Sequence, residues 1–373
     1  MSSKESENFD KQHREVLESV RLSRIILPVL LGVGVVIYLL WSQFDPVEFA
    51  KIRWTYHTFF WIGASVFFLV VRHLAYAYRL RLLSDGEFSW KKCIELIFIW
   101  EFSSAVSPTS LGGSAVALFV LTQEKLSTAK TATIVLYTVV LDTLFFILFL
   151  PLLIGLLGFG VIHPSMGGFG SLNAWGVSFW IFYLLMATYG FAFYYGLFIN
   201  PGQMKRIMVW FTKISFLKKY RRSAVEMGEN MILTSGQLKR QNKRYHLAAF
   251  LSTAVAWSFR FILVNCLIIA FVPDTSLEFF NQLMLYARQK AMFVLIAFSP
   301  TPGGAGFIEV VFGGFLKDFV PIGIAAIIAF VWRLLTYYAY LLAGAVILPN
   351  WIRGVVARRK AARKASGEET QAE

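Results

Sequence analysis

Charge is scarce in this chain. Of its 373 residues, 16% are Asp, Glu, Lys or Arg, where a soluble globular domain carries about 25%. Cysteine is nearly absent. Cys93 and Cys266 are the two in the sequence, and both lie in or beside apolar segments, so free buried thiols are expected rather than a disulfide or a metal site. Enzymatic signatures are missing too. There is no His-Glu-x-x-His, no Gly-x-Ser-x-Gly and no Gly-rich phosphate loop ending in Lys-Ser/Thr. His57, His73, His163 and His246 are scattered. No cofactor is implied, and the chain reads as a non-enzyme, with an intramembrane lipid-modifying activity left open. Ten-residue stretches of alternating polarity, the mark of a membrane barrel, are also absent.

What fills the chain instead is apolar. Hydrophobic residues make up 57% and aromatics 17%, with a mean hydropathy of +0.60. Several runs of roughly twenty apolar residues predict an all-α integral membrane protein. Six full spans are expected, at 25–41, 57–80, 131–157, 175–199, 247–272 and 322–348. Residues 1–24 form a charged segment with no small-residue cleavage site after it, so the first apolar helix is expected to serve as its own insertion signal. The formal net charge of +14 does not point to nucleic acid. Much of the excess sits in segment 200–245, with eleven Lys/Arg against Glu226 and Glu229, and in the tail 349–373, with six Lys/Arg against three Glu. Basic segments that flank spans face the cytoplasm. Both termini are therefore expected inside, in a cytoplasmic (inner) membrane, with loops 158–174 and 273–280 outside. The basic segments act either as topology determinants or as contacts for anionic headgroups.

Two places break the hydropathy. Ser299-Pro300-Thr301-Pro302-Gly303-Gly304-Ala305-Gly306 interrupts an apolar stretch, and Ser107-Pro108-Thr109-Ser110-Leu111-Gly112-Gly113 is a weaker counterpart 192 residues earlier. Proline and glycine cannot continue a helix there, and broken backbone at membrane depth persists only where protein or water satisfies it. The flanking arms, 93–106 with 114–122 and 282–298 with 307–315, are too short for full spans and suit two re-entrant hairpins, for eight or more membrane helices in all. The registers agree. Asp142 follows Pro108 by 34 residues and Arg333 follows Pro300 by 33. Span–break–span thus occurs twice with opposite orientation, an inverted repeat of about 57–157 and 247–348, with a substrate site at its interface.

Ionisable residues at membrane depth cost at least about 2.5 kcal/mol each on insertion scales. Those in this sequence are Arg72, Glu101, Asp142, Arg260, Arg288, Lys290, Glu309 and Arg333. One reading makes them structural ion pairs, such as Asp142 with Arg333. The other makes the surplus of base an anion site, since Arg offers a planar fork to phosphate oxygens. A helix restarting after Gly112-Gly113 or Gly303-Gly304 would add a positive dipole end, favouring anions, although a plain kink explains the same glycines. Glu309, about one and a half turns into the restarted helix, is a candidate proton carrier or a partner for Arg288 or Arg333, and Glu101 is its counterpart in the first hairpin.

The segment Pro300-Thr301-Pro302-Gly303-Gly304-Ala305-Gly306-Phe307-Ile308-Glu309 resembles the Pro-Gly-Gly-x-Gly…Glu motif of the lysylphosphatidylglycerol synthase transmembrane domain family. Arg333-Leu334-Leu335-Thr336-Tyr337 resembles its Arg-Leu-x-Thr-aromatic segment, and Arg79-x-Arg81-Leu82-Leu83 with Pro108…Gly112-Gly113 fits its first half. The likeness covers roughly residues 25–350. The chain departs from the pattern at Ser114 and Ala117, where the family carries an acid and an Arg, and at Thr138-Val139, where it carries a Glu-Arg pair. The first-half site is thereby matched to a different or less charged ligand. The resemblance implies a flippase-like membrane domain without aminoacyl transfer by this chain. Membrane lipids, above all anionic phospholipid, are the expected partners. The substrate-contacting residues would be Arg72, Arg260, Arg288, Arg333, Gly112, Gly113, Gly303 and Gly304. Two functions follow: translocation of a phospholipid or lipid-linked anionic headgroup, or a non-transporting role beside a lipid- or glycan-modifying enzyme. Oligomeric state is not fixed by the sequence.

Overall fold

In the computed structural model, residues 41, 46–50, 52, 54–106, 110–124, 126–168, 173–299 and 307–366 are described. Every regular element among them is helical. After a short helical turn α1 (Pro46–Ala50) come α2 (Tyr56–Leu83), α3 (Trp90–Val106), α4 (Ser110–Gln123) and α5 (Thr128–Leu157). Next are α6 (Ala174–Tyr194), α7 (Pro201–Phe211), α8 (Arg221–Leu238) and α9 (Lys243–Phe271). The chain closes with α10 (Phe279–Ile296), α11 (Phe307–Phe315), α12 (Ile322–Arg333) and α13 (Ala339–Ser366). Five helices are long and apolar enough to cross a membrane, and they fall at five of the six expected spans. The expected first span, 25–41, lies outside the described residues apart from residue 41.

Helix starts follow the local sequence. Ser127, Asn173, Asn200 and Asn242 each turn a side-chain oxygen onto the backbone N–H three residues ahead, opening α5, α6, α7 and α9. Each bond satisfies a donor that the first helical turn leaves free. At the other end of α2, Asp85 and Gly86 take positive φ, and the Gly86 N–H returns to the Arg81 carbonyl at 2.9 Å. That is a glycine-dependent stop.

Both expected breaks, with Pro108, Pro300, Pro302, Gly303 and Gly304, fall at 107–109 and 300–306, outside the described residues. Their flanks correct two expectations. The helix after the first break starts at Ser110, so Gly112 and Gly113 lie in its first turn and not before it. Serine is a favoured start, and a first-turn glycine gives up less than an interior one. After the second break the helix starts at Phe307, as the expected arm did, and Glu309 falls in its first turn and not one and a half turns in. The last span also differs from its expected end. A π-helical turn, Leu334–Tyr338, joins α12 to α13, and α13 runs on through Pro349 to Ser366. Trp351 and Val355 are buried there. The Trp351 indole and the Arg358 guanidinium both reach Glu124 at the end of α4, which holds the helix past its proline.

Helices α2 and α9 pack along their length and run antiparallel. Ser65 donates to the Leu263 carbonyl at 3.2 Å, Phe68 stacks on Phe259 at 4.9 Å between centroids, and Arg79 reaches Thr253. Residue numbers rise on one helix as they fall on the other. The apolar interior divides into two large clusters. One gathers Phe145–Leu153 of α5, Phe261–Phe271 of α9 and most of α10–α12. The other gathers Tyr76–Leu83 of α2, Cys93–Ile99 of α3, Ala132–Leu141 of α5 and Ala249 of α9. Arg72 on α2, Asp142 on α5 and Thr253–Arg260 on α9 lie where their helices pass from one cluster to the other, and Glu101 on α3 lies between the second cluster and a small one of Phe102, Ala105, Tyr338 and Leu341.

A charged layer between two apolar cores

The charges at that boundary form one connected layer. Arg72 is fully buried and donates to Glu101 at 2.6 Å and to the Tyr340 hydroxyl at 3.0 Å. His73 Nδ1 reaches the same hydroxyl at 3.2 Å, and its Nε2 meets the Ile94 carbonyl at 3.3 Å. One face of α2 carries Arg72, Tyr76 and Arg79, spaced four and three residues apart. The Tyr76 ring therefore lies between two guanidiniums, 5.0 Å from Arg72 and 4.8 Å from Arg79. Arg79 donates to Asp142 at 2.6 Å and to Thr253 at 2.9 Å. Asp142 also accepts from the Trp257 indole at 3.1 Å.

Arg79 is thus the partner of Asp142, not Arg333. Asp142 and Arg333 share a register relative to the two breaks, but register says nothing about which helix faces which. Arg333 is buried and lies over the Tyr337 ring at 4.8 Å. Tyr340 reaches Arg72 because α13 comes very close to α3. A Cβ added at Gly344 would sit 2.4 Å from Phe102, so only glycine fits one turn beyond Tyr340.

Arg260 completes the layer. Its guanidinium lies 5.4 Å from the Trp257 ring centre and 5.2 Å from that of Phe293, within electrostatic reach of Arg72 and Glu101. It is half-buried. Among the described residues it makes no ion pair and no hydrogen bond. Three guanidiniums therefore face two carboxylates here, and the surplus cation is the half-buried one.

The remaining expected residues lie elsewhere. Arg288 sits toward the end of the molecule that carries loop 158–172 and the 316–321 turn. It donates to the Gly160 carbonyl at 2.9 Å and to Asp318 at 2.8 Å. Asp318, in the 316–321 turn, is thus an acid that Arg288 reaches. The side chain of Glu309 is outside the described part. Beside Arg288, His163 stacks on Trp175 and bonds Ser165 at 2.7 Å. Burial lowers the His163 pKa, Lys317 and Arg288 add to that, and Asp318 opposes it. Lys290 is fully buried on α10 among Phe145 (4.0 Å), Tyr286 (4.4 Å) and Phe149 (4.6 Å). No group of three or more His, Cys, Asp or Glu among the described residues is placed to hold a metal.

Sequence reasoning missed Tyr76, His73, Trp257 and Tyr340, the uncharged half of the layer. A signal was present. Arg72, Tyr76 and Arg79 recur at helical spacing inside an apolar span, and Trp257 precedes Arg260 by three.

Long apolar helices with a belt of paired charges between two cores define a multi-pass helical membrane protein. The chain belongs to the lysylphosphatidylglycerol synthase transmembrane region family, whose model matches residues 25–344. It is also similar to a UPF0104 membrane protein of Archaeoglobus fulgidus, 23% identical over 305 residues, covering 77% of this chain and 85% of the relative.

Proposed function

We propose that this protein moves the anionic headgroup of a phospholipid or lipid-linked molecule across the cytoplasmic membrane, without making or breaking a covalent bond. Arg260 carries this reading. A half-buried guanidinium at the charged layer, beside rings and with no ion pair among the described residues, has the shape and charge to receive phosphate oxygens. The order of helix lengths supports it. From α2 to α5 the helices have 28, 17, 14 and 30 residues, and from α9 to α11 they have 29, 18 and 9 before the long α12–α13 unit. Seventeen residues rise about 26 Å and nine about 14 Å, short of the roughly 30 Å hydrocarbon core. We read α3–α4 and α10–α11 as re-entrant hairpins of an inverted repeat, with antiparallel α2 and α9 at its centre. The Lys/Arg excess orients the 200–245 segment and the tail toward the cytoplasm.

The test is headgroup scrambling of fluorescent phosphatidylglycerol in vesicles that contain this protein alone. Wild type should accelerate exchange, and Arg260→Gln should slow it at least tenfold while melting within a few degrees of wild type. Folded wild type that gives no acceleration under any proton gradient would remove transport and leave the role of a partner to a lipid- or glycan-modifying enzyme.

A further inference from the structure

Resting on that transport reading, we infer that Lys290 is a second station for the same anion, separated from Arg260 by a wall of aromatic rings. Tyr286, Lys290 and Phe293 follow at i, i+4 and i+7 on α10, so they share one face of that helix. The face meets α5 and α9. Phe146 stacks on Phe293 at 5.4 Å, Trp257 meets Phe293 at 4.8 Å, and Phe145 stacks on Trp257 at 6.3 Å. Arg260 lies against the Trp257 and Phe293 side of this wall. Lys290 lies against the Phe145 side.

The Lys290 amine has no surface exposure and, among the described residues, no hydrogen-bond partner. Its neighbours are rings, and none of them offers an oxygen in the plane of an N–H. A buried polar group without a partner costs free energy that a hydrogen-bond acceptor removes. A phosphate supplies three or more such oxygens. Along α10 the position fits a route. Phe293 lies about 4.5 Å deeper than Lys290, and Arg288 about 3 Å nearer the loop end. An anion that leaves Arg260 would pass the Phe145–Trp257–Phe293 wall, meet the amine, and then reach the Arg288 end. The ligand class is the one proposed for Arg260, an oxyanion headgroup such as a phosphodiester. The rings close the path when no headgroup is in transit.

The experiment pairs binding with transport in the full chain. Dioctanoyl phosphatidylglycerol is titrated against protein in phosphatidylcholine nanodiscs, and fluorescent phosphatidylglycerol exchange is measured in vesicles. Lys290→Met keeps the shape and removes the amine. It should bind the short-chain lipid within about twofold of wild type, because Arg260 is intact, yet exchange at least tenfold more slowly. Lys290→Arg, which keeps donors, should recover a third or more of the lost rate. Wild-type exchange in a folded Lys290→Met protein overturns the second station and leaves the transport reading standing. Equal loss in Lys290→Met and Lys290→Arg also overturns it, since packing and not hydrogen bonding would then be the cause. Arg260→Gln that binds and exchanges like wild type removes Arg260 as the first station and the second station with it, whereas folded wild type that gives no acceleration sinks the transport reading itself.

Discussion

Arg72 and Arg79, in the first half of the chain, each reach a carboxylate at 2.6 Å. Arg260 and Lys290, in the second half, reach rings and, among the described residues, no acid. The first pattern spends both members of each pair on each other, so the layer there holds α2, α3, α5 and α13 in one arrangement. The second leaves two basic side chains without a counter-charge among the described residues. The contrast reverses the impression from motif strength. The first half departs from the family pattern at Ser114, Ala117 and Thr138-Val139, yet its charges are internally balanced. The surplus that a ligand would neutralise belongs to the second half. Glu101 and Asp142 each accept from a guanidinium, and Asp142 from the Trp257 indole as well.

If the first half is a frame, breaking it should unfold the protein. Glu101→Gln leaves Arg72 buried without its counter-charge, and removal of one member of a buried pair costs about 3–5 kcal/mol. The thermal midpoint in detergent should fall by far more than for Arg260→Gln, which strands no carboxylate. Replacing both members, Arg72→Met with Glu101→Met, should recover much of the loss. A Glu101→Gln protein as stable as wild type would erase the distinction between the halves.

A smaller loss is expected at Asp142→Asn, about 1–3 kcal/mol, because the cation left behind, Arg79, keeps 8% exposure against 0% for Arg72 and still donates to Thr253. Water can then reach Arg79 in part. Gly344→Ala tests the same frame through packing. Its new methyl group would meet Phe102 at 2.4 Å, and overpacking costs about 1–3 kcal/mol. The shift should move Tyr340 away from Arg72, so the variant should also weaken with a shared, non-additive component when combined with Tyr340→Phe. Strict additivity in that double-mutant cycle would separate Gly344 from the charged layer.

How much of this was legible beforehand differs by type of feature. Five spans announced themselves because twenty apolar residues in a row have few other destinations. The start of α4 was misjudged by a few residues, since Pro and Gly mark an interruption without fixing where hydrogen bonding resumes, whereas α11 spans the expected arm 307–315. The ion pairs were not legible as pairs. Asp142 with Arg333 was inferred from matching register, whereas the pair that forms, Asp142 with Arg79, depends on α5 facing α2. Asp318 was not among the candidates, and the turn places it on Arg288. Tyr76, Trp257 and Tyr340 were hidden because an aromatic residue in an apolar span has an ordinary explanation in packing or interfacial anchoring. Only the cation across from each ring shows otherwise.

The mildest difference between the regions lies outside the spans, at the Arg288 end. His163 is buried there, and burial, followed by Lys317 and Arg288, holds its pKa below the ordinary value of 6.5, against the pull of Asp318. Its folded form is therefore the neutral imidazole, which bonds Ser165 and stacks on Trp175. The unfolded chain takes up this proton first as pH falls, so the contribution to stability is complete above about pH 6.5 and declines below it. One proton sets the slope at no more than about 1.4 kcal/mol per pH unit. Thermal midpoints of wild type should fall between pH 7 and 5, and His163→Gln should remove part of that fall while leaving the pH 7 value within a few degrees. An unchanged pH profile in the variant would show that the Arg288 end is insensitive to this histidine.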